Sequence, residues 1–282
     1  YNMDVLITVC IPFYNDEKYL EYAIQSVINQ TYQKWKLVLL DDGSTDNSLS
    51  IAKKFLYDSR VELVSDGLNK GLISRLNQSV DLVKTKYYAR MDADDIMHPN
   101  RLETQLKIME ENPKIDVLGT NAYSIGKNNE INGVKGVLSN KIEEVCTFIH
   151  PSVVAKSSWY KKNKYNDKAL RLEDNELWYR SKQKSQFYCI NQPLLYYREF
   201  GGGYYKKYKK SIRGSWQVLL LQNRVSDFLY WLLLLIKQFF KTIVYMCFSI
   251  LELESCLIKR RFIPLDMIEL KESKINLSKA IK

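Results

Sequence analysis

Three carboxylates fall within four positions in Arg90-Met91-Asp92-Ala93-Asp94-Asp95. Side chains two apart on an extended segment point the same way, so Asp92 and Asp94 are expected to face one crevice. Like charges held that close repel, and a hard divalent cation bound through oxygen relieves them. A cation at a strand end beside a nucleotide crevice is a site for handling a diphosphate. A solvated acidic turn is the plain alternative, and a four-residue motif alone does not choose between them.

The surrounding pattern supplies a frame for that motif. Residues 6–11 (LITVCI) form a continuous apolar run, as for a strand buried on both faces, and Pro12-Phe13-Tyr14-Asn15 is expected to break it. A helix is predicted over 17–30, with Leu20, Ala23, Ile24, Val27 and Ile28 on one stripe. A second strand, 36–40, ends in Asp41-Asp42-Gly43-Ser44-Thr45-Asp46, and a helix over 48–56 follows. A third strand, 60–65, leads into Asp66-Gly67-Leu68-Asn69-Lys70-Gly71 and a helix over 72–83. The fourth strand, from about Thr85, ends at the acidic cluster, and a helical pattern starts at Arg101. Strand and helix alternate at short spacing, which predicts an α/β fold with a doubly wound, mostly parallel sheet. Polar and glycine-bearing motifs collect at the strand C-termini, the edge where such sheets bind ligands.

Beyond residue 120 the pattern loosens. Residues 128–139 read as a loop or hairpin, and 146–155 (CTFIHPSVVA) as a strand containing His150-Pro151. Residues 170–180 (LRLEDNELWYR) lead into a helix with Glu173-Asp174 near its N-terminus. The tyrosine-rich, basic, glycine-broken stretch 196–213 marks a boundary, giving a catalytic unit over 1–205 and a basic helical unit over 206–282.

The 282-residue chain is 46% hydrophobic, enough for a large core. Its net charge of +10 is uneven. Residues 1–154 carry 17 basic and 21 acidic side chains, and 155–282 carry 25 and 11. The C-terminal part is therefore +14, and anionic lipid, a phosphorylated lipid or nucleic acid would suit it. Five scattered cysteines without a CxxC pair point to a reducing, cytosolic compartment. No signal-peptide pattern precedes the first strand, which agrees. Residues 225–251 are strongly apolar but carry Lys237 and Lys241. A lysine centred in a spanning helix costs roughly 2.5–3.5 kcal/mol, so the segment is expected to lie in the membrane plane or to pack internally. In the first case Trp231, Leu232, Leu235, Phe239 and Phe240 would form the lipid face.

Taken together, Ile11-Pro12-Phe13-Tyr14-Asn15, Asp41 to Asp46, Asn69-Lys70-Gly71, Asp92-Ala93-Asp94-Asp95 and Glu173-Asp174 with Leu177-Trp178 resemble glycosyltransferase family 2 over roughly residues 4–200. The resemblance implies a GT-A fold and inverting transfer from a nucleotide-sugar, usually uridine-linked, with Mn²⁺ or Mg²⁺. It places nucleotide-sugar contacts at Pro12, Tyr14, Asn15, Asp41, Asp42, Asn69, Gly71, Arg75, Asp92 and Ala93, and the metal at Asp94. Pro12 would wall the base pocket, Asp41 would accept from a uracil-like N–H, and Gly71 would let backbone approach the ligand. Asp42 could equally cap the Gly43-Ser44 turn, and Arg75 is either a diphosphate contact or an exposed helix arginine. Asp95 assists the metal or caps the next turn. Asp174 would be the base, with Glu173 orienting sugar or acceptor; a capping pair without chemistry is the alternative. His150 and Trp178 would face the acceptor, although His150 could equally be a satisfied core histidine.

The Gln-x-x-Arg-Trp motif of processive synthases is missing, so the resemblance implies transfer of a single sugar. The implied acceptor is a lipid-linked saccharide, on a polyprenyl diphosphate, for surface polysaccharide. The implied location is the inner face of the cell membrane, reached from the cytoplasm. Two other enzyme classes fit less well. A nucleotidyltransferase acting on sugar phosphates would need glycine within 12–17, and a dehalogenase-like phosphatase would carry its DxD on the first strand. Nucleic acid stacked on Tyr196 to Arg213 lacks a recognised module and is not expected as a partner.

Overall fold

The computed structural model describes residues 5–136, 142–145, 147–199, 204–259 and 261–282. Its first half alternates as the periodicity predicts: β1 (Ile7–Phe13), α1 (Leu20–Ile28), β2 (Trp35–Asp41), α2 (Ser48–Lys54), β3 (Val61–Ser65), α3 (Leu72–Leu82) and β4 (Tyr87–Arg90). The strands lie in the order β3-β2-β1-β4 and all run parallel. Alternate residues of β1 enter different layers. Ile7, Val9 and Ile11 pack with Ala23, Ile24 and Val27 of α1, whereas Cys10 packs with Ile73, Leu76 and Val80 of α3. A strand covered on both faces favours apolar residues throughout, which is why 6–11 reads as an apolar run; its one hydroxyl, Thr8, is satisfied by Thr85 Oγ1 at 2.8 Å.

Pro12 does not end β1, contrary to expectation. The strand continues to Phe13, with Pro12 opposite Leu40 of β2. On its other side β4 pairs only as far as Arg90, beside Cys10, so no neighbouring carbonyl there requires a proline N–H.

The second half adds β5 (Ile96–Met97), α4 (Arg101–Glu111), β6 (Val117–Ile125), β7 (Ile131–Lys135), β8 (Ile142–Glu144), β9 (Val154–Lys156), α5 (Ser157–Lys162), α6 (Glu173–Ser181) and β10 (Phe187–Arg198). β9 inserts antiparallel between β4 and β6, and β10 lies parallel to β6. β6 and β7 form the hairpin expected near 128–139, of which 137–139 lie outside the described residues. The strand expected over 146–155 is mostly absent. His150–Ser152 is a 3₁₀ turn with Pro151 inside it, and only the last two residues of the stretch join β9. Proline fixes φ and donates nothing to a ladder, which favours a turn there. Cys146 lies outside the described residues.

The C-terminal part comprises α7 (Tyr204–Leu219), α8 (Val225–Ile250), α9 (Glu254–Lys259) and α10 (Met267–Ile281). α10 starts with a reciprocal cap between Asp266 and Glu269, then returns to the sheet. Its Leu277 and Ala280 pack with Ile96, Ile125 and Tyr196, and Asn29 Nδ2 of the loop after α1 donates to the Ala280 carbonyl at 3.0 Å. α7 lies close against the loop before α6. A Cβ added at Gly214 would sit 2.2 Å from the Leu170 carbonyl oxygen. α8 packs along α7, but not by the face expected. Trp231 is 1% exposed, buried with Ala169, Leu172, Val218 and Leu219, so it is no part of a lipid face. Lys241 lies 4.3 Å over the Tyr208 ring, and Tyr245 packs with Tyr204 and Tyr208. The Tyr208 ring of α7 accepts the Lys241 ammonium. That leaves Leu229, Leu233, Ile236, Phe239, Phe240 and Ile250 outward.

Candidate active site

A cleft of about 1740 Å³ opens over the C-terminal ends of β1, β2 and β4, where the sheet order reverses. Pro12, Tyr14, Asp42, Asn69, Gly71, Arg75, Asp92, Ala93, Asp94, His150, Glu173 and Asp174 all line it, although they come from six separate stretches of chain.

At the β2 end the two aspartates divide their work differently from the expectation. Asp41 is 1% exposed, and its carboxylate accepts from Ser44 N at 2.9 Å and Ser65 Oγ at 2.7 Å. It is therefore Asp41, not Asp42, that caps the Gly43-Ser44 turn, and it stands behind the cleft wall. Asp42 lines the cleft and clasps the next loop, accepting from Lys70 N at 2.8 Å and Gly71 N at 3.0 Å. Gly71 holds φ +83 while pointing its N–H at that carboxylate, a conformation that a side chain would strain. Arg75 is neither exposed nor free for a diphosphate. It is fully buried, with Nε on Asp42 at 2.9 Å, Nη1 on Gln78 at 2.8 Å and Nη2 on Asp66 at 2.6 Å. Its place is behind Asp42, holding that carboxylate in position. Asn15 staples the rim: with φ +53, its Oδ1 accepts from Thr45 N at 2.8 Å.

At the β4 end, carboxylate oxygens of Asp92, Asp94 and Asp95 lie within 4.8 Å of one another. Arg90, buried at the strand end, donates to Asp92, while its Nε and Nη1 have no protein partner. Burial, then the charges of Asp92 and Asp16, push the Asp94 carboxyl up to about 7. Burial and the neighbouring aspartates raise Asp95 well above its usual range. One Asp95 oxygen accepts from Arg198 N at 2.8 Å; the other is buried without a partner. Crowded carboxylates with unsatisfied oxygen fit a hard divalent ion such as Mn²⁺ or Mg²⁺. Arg198 braces the turn, with Nε on the Asp94 carbonyl at 2.7 Å and Nη1 on the Gly126 carbonyl at 2.6 Å.

Glu173 and Asp174 form the first residues of α6. Burial and the charge of Asp174 push Glu173 up to about 7, and burial raises Asp174 as well. Asp174 Oδ1 accepts from Asn175 N at 2.8 Å. The charge of Asp92 reaches Asp174, so the two acidic sets sense each other across the cleft. His150 Nε2 hydrogen-bonds Tyr165 Oη at 2.9 Å, and burial holds its pKa well below the usual value, so it is a neutral, satisfied wall residue. Trp178 does not reach the cleft. It is 1% exposed and packs with Trp159, Phe148 and Phe187, backing His150 at a ring separation of 6.0 Å.

Three cleft residues escaped the sequence reading. Asp16 follows the Pro-Phe-Tyr-Asn motif, and burial lifts its carboxyl to about 6. Arg90 stands two residues before Asp92; an arginine at that spacing ahead of three carboxylates is the signal that could have found it. Arg198 ends β10, 103 residues from Asp95 in sequence, and nothing local marks it.

A family model described as Glycosyl transferase family 2 matches residues 8–184. An uncharacterized glycosyltransferase of Methanocaldococcus jannaschii is 34% identical over 204 residues, covering 68% of this chain and 70% of the relative. The putative glycosyltransferase EpsE of Bacillus subtilis is 32% identical, covering 68% and 73%. WfgD of Escherichia coli, named as a UDP-Glc:alpha-D-GlcNAc-diphosphoundecaprenol beta-1,3-glucosyltransferase, is 28% identical, covering 77% and 86%. Among solved structures, S. aureus TarS 1-349 in complex with UDP-GlcNAc superposes with a TM-score of 0.62 at 18% identity, over 76% of this chain and 66% of that one. The fold is the GT-A fold that the motif order implied. With the family model spanning β1 to α6 and relatives above 30% identity over most of their own length, this chain belongs to glycosyltransferase family 2.

Proposed function

We propose that the protein transfers one sugar from a UDP-sugar to a hydroxyl of a saccharide carried on a polyprenyl diphosphate, inverting the anomeric carbon, in surface polysaccharide synthesis. The observation that carries this reading is the single cleft shared by Asp92, Asp94, Glu173 and Asp174. Pro12 and the loop clasped by Asp42 form the wall for the nucleotide. Asp92 and Asp94, with Asp95 behind them, would hold Mn²⁺ or Mg²⁺, which when bound supplies a Lewis acid at the diphosphate leaving group. Asp174 takes the proton of the attacking hydroxyl on Oδ2, because Oδ1 is held by the Asn175 N–H. Burial keeps Asp174 more basic than an ordinary aspartate, which suits a general base working near neutral pH. Attack from the face opposite the leaving group inverts the centre.

The E. coli relative's named acceptor and the exposed apolar face of α8 support a lipid-linked acceptor. By length and composition α8 could cross a membrane, yet it packs along α7 and keeps Lys237 outward. A helix lying in the inner face of the cytoplasmic membrane accounts for both. The test is Asp174→Asn with product analysis by NMR. The variant should retain UDP affinity and lose about 10²–10⁴-fold in kcat. A product with the donor's own anomeric configuration would refute inversion.

A further inference from the structure

Lys206, Lys210 and Arg213 of α7 recur at spacings of four and three, so one helical face carries all three. All are exposed and all line the cleft. Arg171 joins them from the loop before α6, three residues ahead of Asp174. Its backbone sits at φ +63, in the left-handed region that a residue with a side chain adopts only at a cost. The close approach of Gly214 to the Leu170 carbonyl fixes α7 beside that loop. Among the described residues, no carboxylate forms an ion pair with any of these four cations.

The same face then changes character. Trp216 and Leu220 follow, 52% and 66% exposed, and the outward apolar residues of α8 begin just after them. From Arg213 to Leu220 is about 10 Å along the helix. Cations near the base and bare apolar surface a short step away match one kind of ligand, a diphosphate joined to a hydrocarbon chain.

We propose that this face of α7 is the binding site for the diphosphate-isoprenoid part of the acceptor. Lys206, Lys210, Arg213 and Arg171 hold the diphosphate, and Trp216 and Leu220 take the first isoprene units. The inference rests on the lipid-linked acceptor proposed above and adds where its non-sugar part is held.

The test uses the full-length protein saturated with UDP and Mg²⁺, so that the donor's diphosphate site is filled. Farnesyl diphosphate, farnesol and inorganic diphosphate are titrated calorimetrically. Farnesyl diphosphate should bind more tightly than either of the others. Combining Lys206→Gln, Lys210→Gln and Arg213→Gln should weaken it by about tenfold or more, since charge-assisted contacts to phosphate are lost, while UDP affinity stays unchanged. Trp216→Ser with Leu220→Ser should weaken farnesyl diphosphate but not inorganic diphosphate. All five side chains are exposed, and a thermal melt checks that the variants fold. Unaltered farnesyl diphosphate binding by the triple variant overturns the proposal. So does equal affinity of the wild type for inorganic diphosphate, which would mean a free-phosphate site. Loss of binding to phosphatidylglycerol vesicles with farnesyl diphosphate binding intact would make the face a bilayer anchor instead. If the wild type fails to bind UDP at all, the donor reading falls first, so the two failures are distinct.

Discussion

Replacing Asp94 by asparagine should make the metal-free protein more stable while abolishing turnover. Burial, together with the charges of Asp92 and Asp16, pushes the Asp94 carboxyl from 3.8 up to about 7. A shift of that size corresponds to about 4 kcal/mol of penalty on the charged form. Water in the open cleft screens part of it, so about 2 kcal/mol should survive in a measurement. The sign follows from proton binding. The folded pKa lies above the unfolded one, so between pH 3.8 and about 7 the folded state holds more proton, and stability falls as pH rises through that window. Asp94→Asn removes the penalty. In excess chelator at pH 7.5 the variant should melt about 4–8 °C above wild type. At pH 5, inside the window, part of the folded wild-type carboxyl is already protonated, and the gap should shrink. Excess Mn²⁺ should raise the wild-type melting temperature and leave the variant nearly unmoved. Scanning calorimetry at the two pH values, with chelator and with Mn²⁺, provides the check. A variant less stable than wild type in chelator at pH 7.5, or a gap independent of pH, would refute the crowding argument.

Three further outcomes are expected. Because the proton acceptor must be ionised, kcat/KM should fall as pH drops through the Asp174 titration, which burial raises above the ordinary carboxylate range, and Glu173→Gln, which mimics the protonated neighbour, should leave that limb in place; a limb that moves to lower pH would show that a charged Glu173 sets it. Arg75→Gln leaves the buried Asp42 carboxylate without its cation, which should cost about 3–5 kcal/mol in urea unfolding and weaken UDP binding; a loss under about 1 kcal/mol would mean that the clasp does not depend on Arg75. Leu233→Glu with Phe240→Glu should cut binding to phosphatidylglycerol vesicles without lowering stability, whereas Trp231→Glu should destabilise the fold; vesicle binding untouched by the surface pair would make α8 a packing element alone.

The parts of this molecule that were legible in its sequence are those whose cause is local. β1, β2 and the helices between them announce themselves because burial on both sheet faces forces apolar runs and amphipathic stripes. Asp92, Asp94, Glu173 and Asp174 line one cleft, and their places at a strand end and a helix start were legible because the motifs carrying them are local. What escaped depends on partners far away. Nothing near Arg75 says that Asp42, 33 residues earlier, will bury its guanidinium. The division of labour between Asp41 and Asp42 turns on Ser65 and Gly71, each supplied by a different loop. The apolar stretch ahead of β9 looks like strand until Pro151 is weighed as a turn former. α8 was misread at Trp231 for a similar reason. Its inward face was chosen by the tyrosines of α7 and the pocket of Leu172 and Leu219, not by its own hydrophobic pattern.

The contact between Gly214 and the Leu170 carbonyl has a mechanical consequence. Backbone meets backbone there, so no side-chain rotation can relax it. A load taken up by the α7–α8 hairpin therefore passes to the loop holding Arg171 and, three residues later, to Asp174, without a joint between them. The surface that would rest on a bilayer and the carboxylate that would receive a proton form two ends of one stiff lever. Any rocking of the hairpin would be felt as a displacement of the base, and a bulkier residue at 214 would act as a wedge driven between the two.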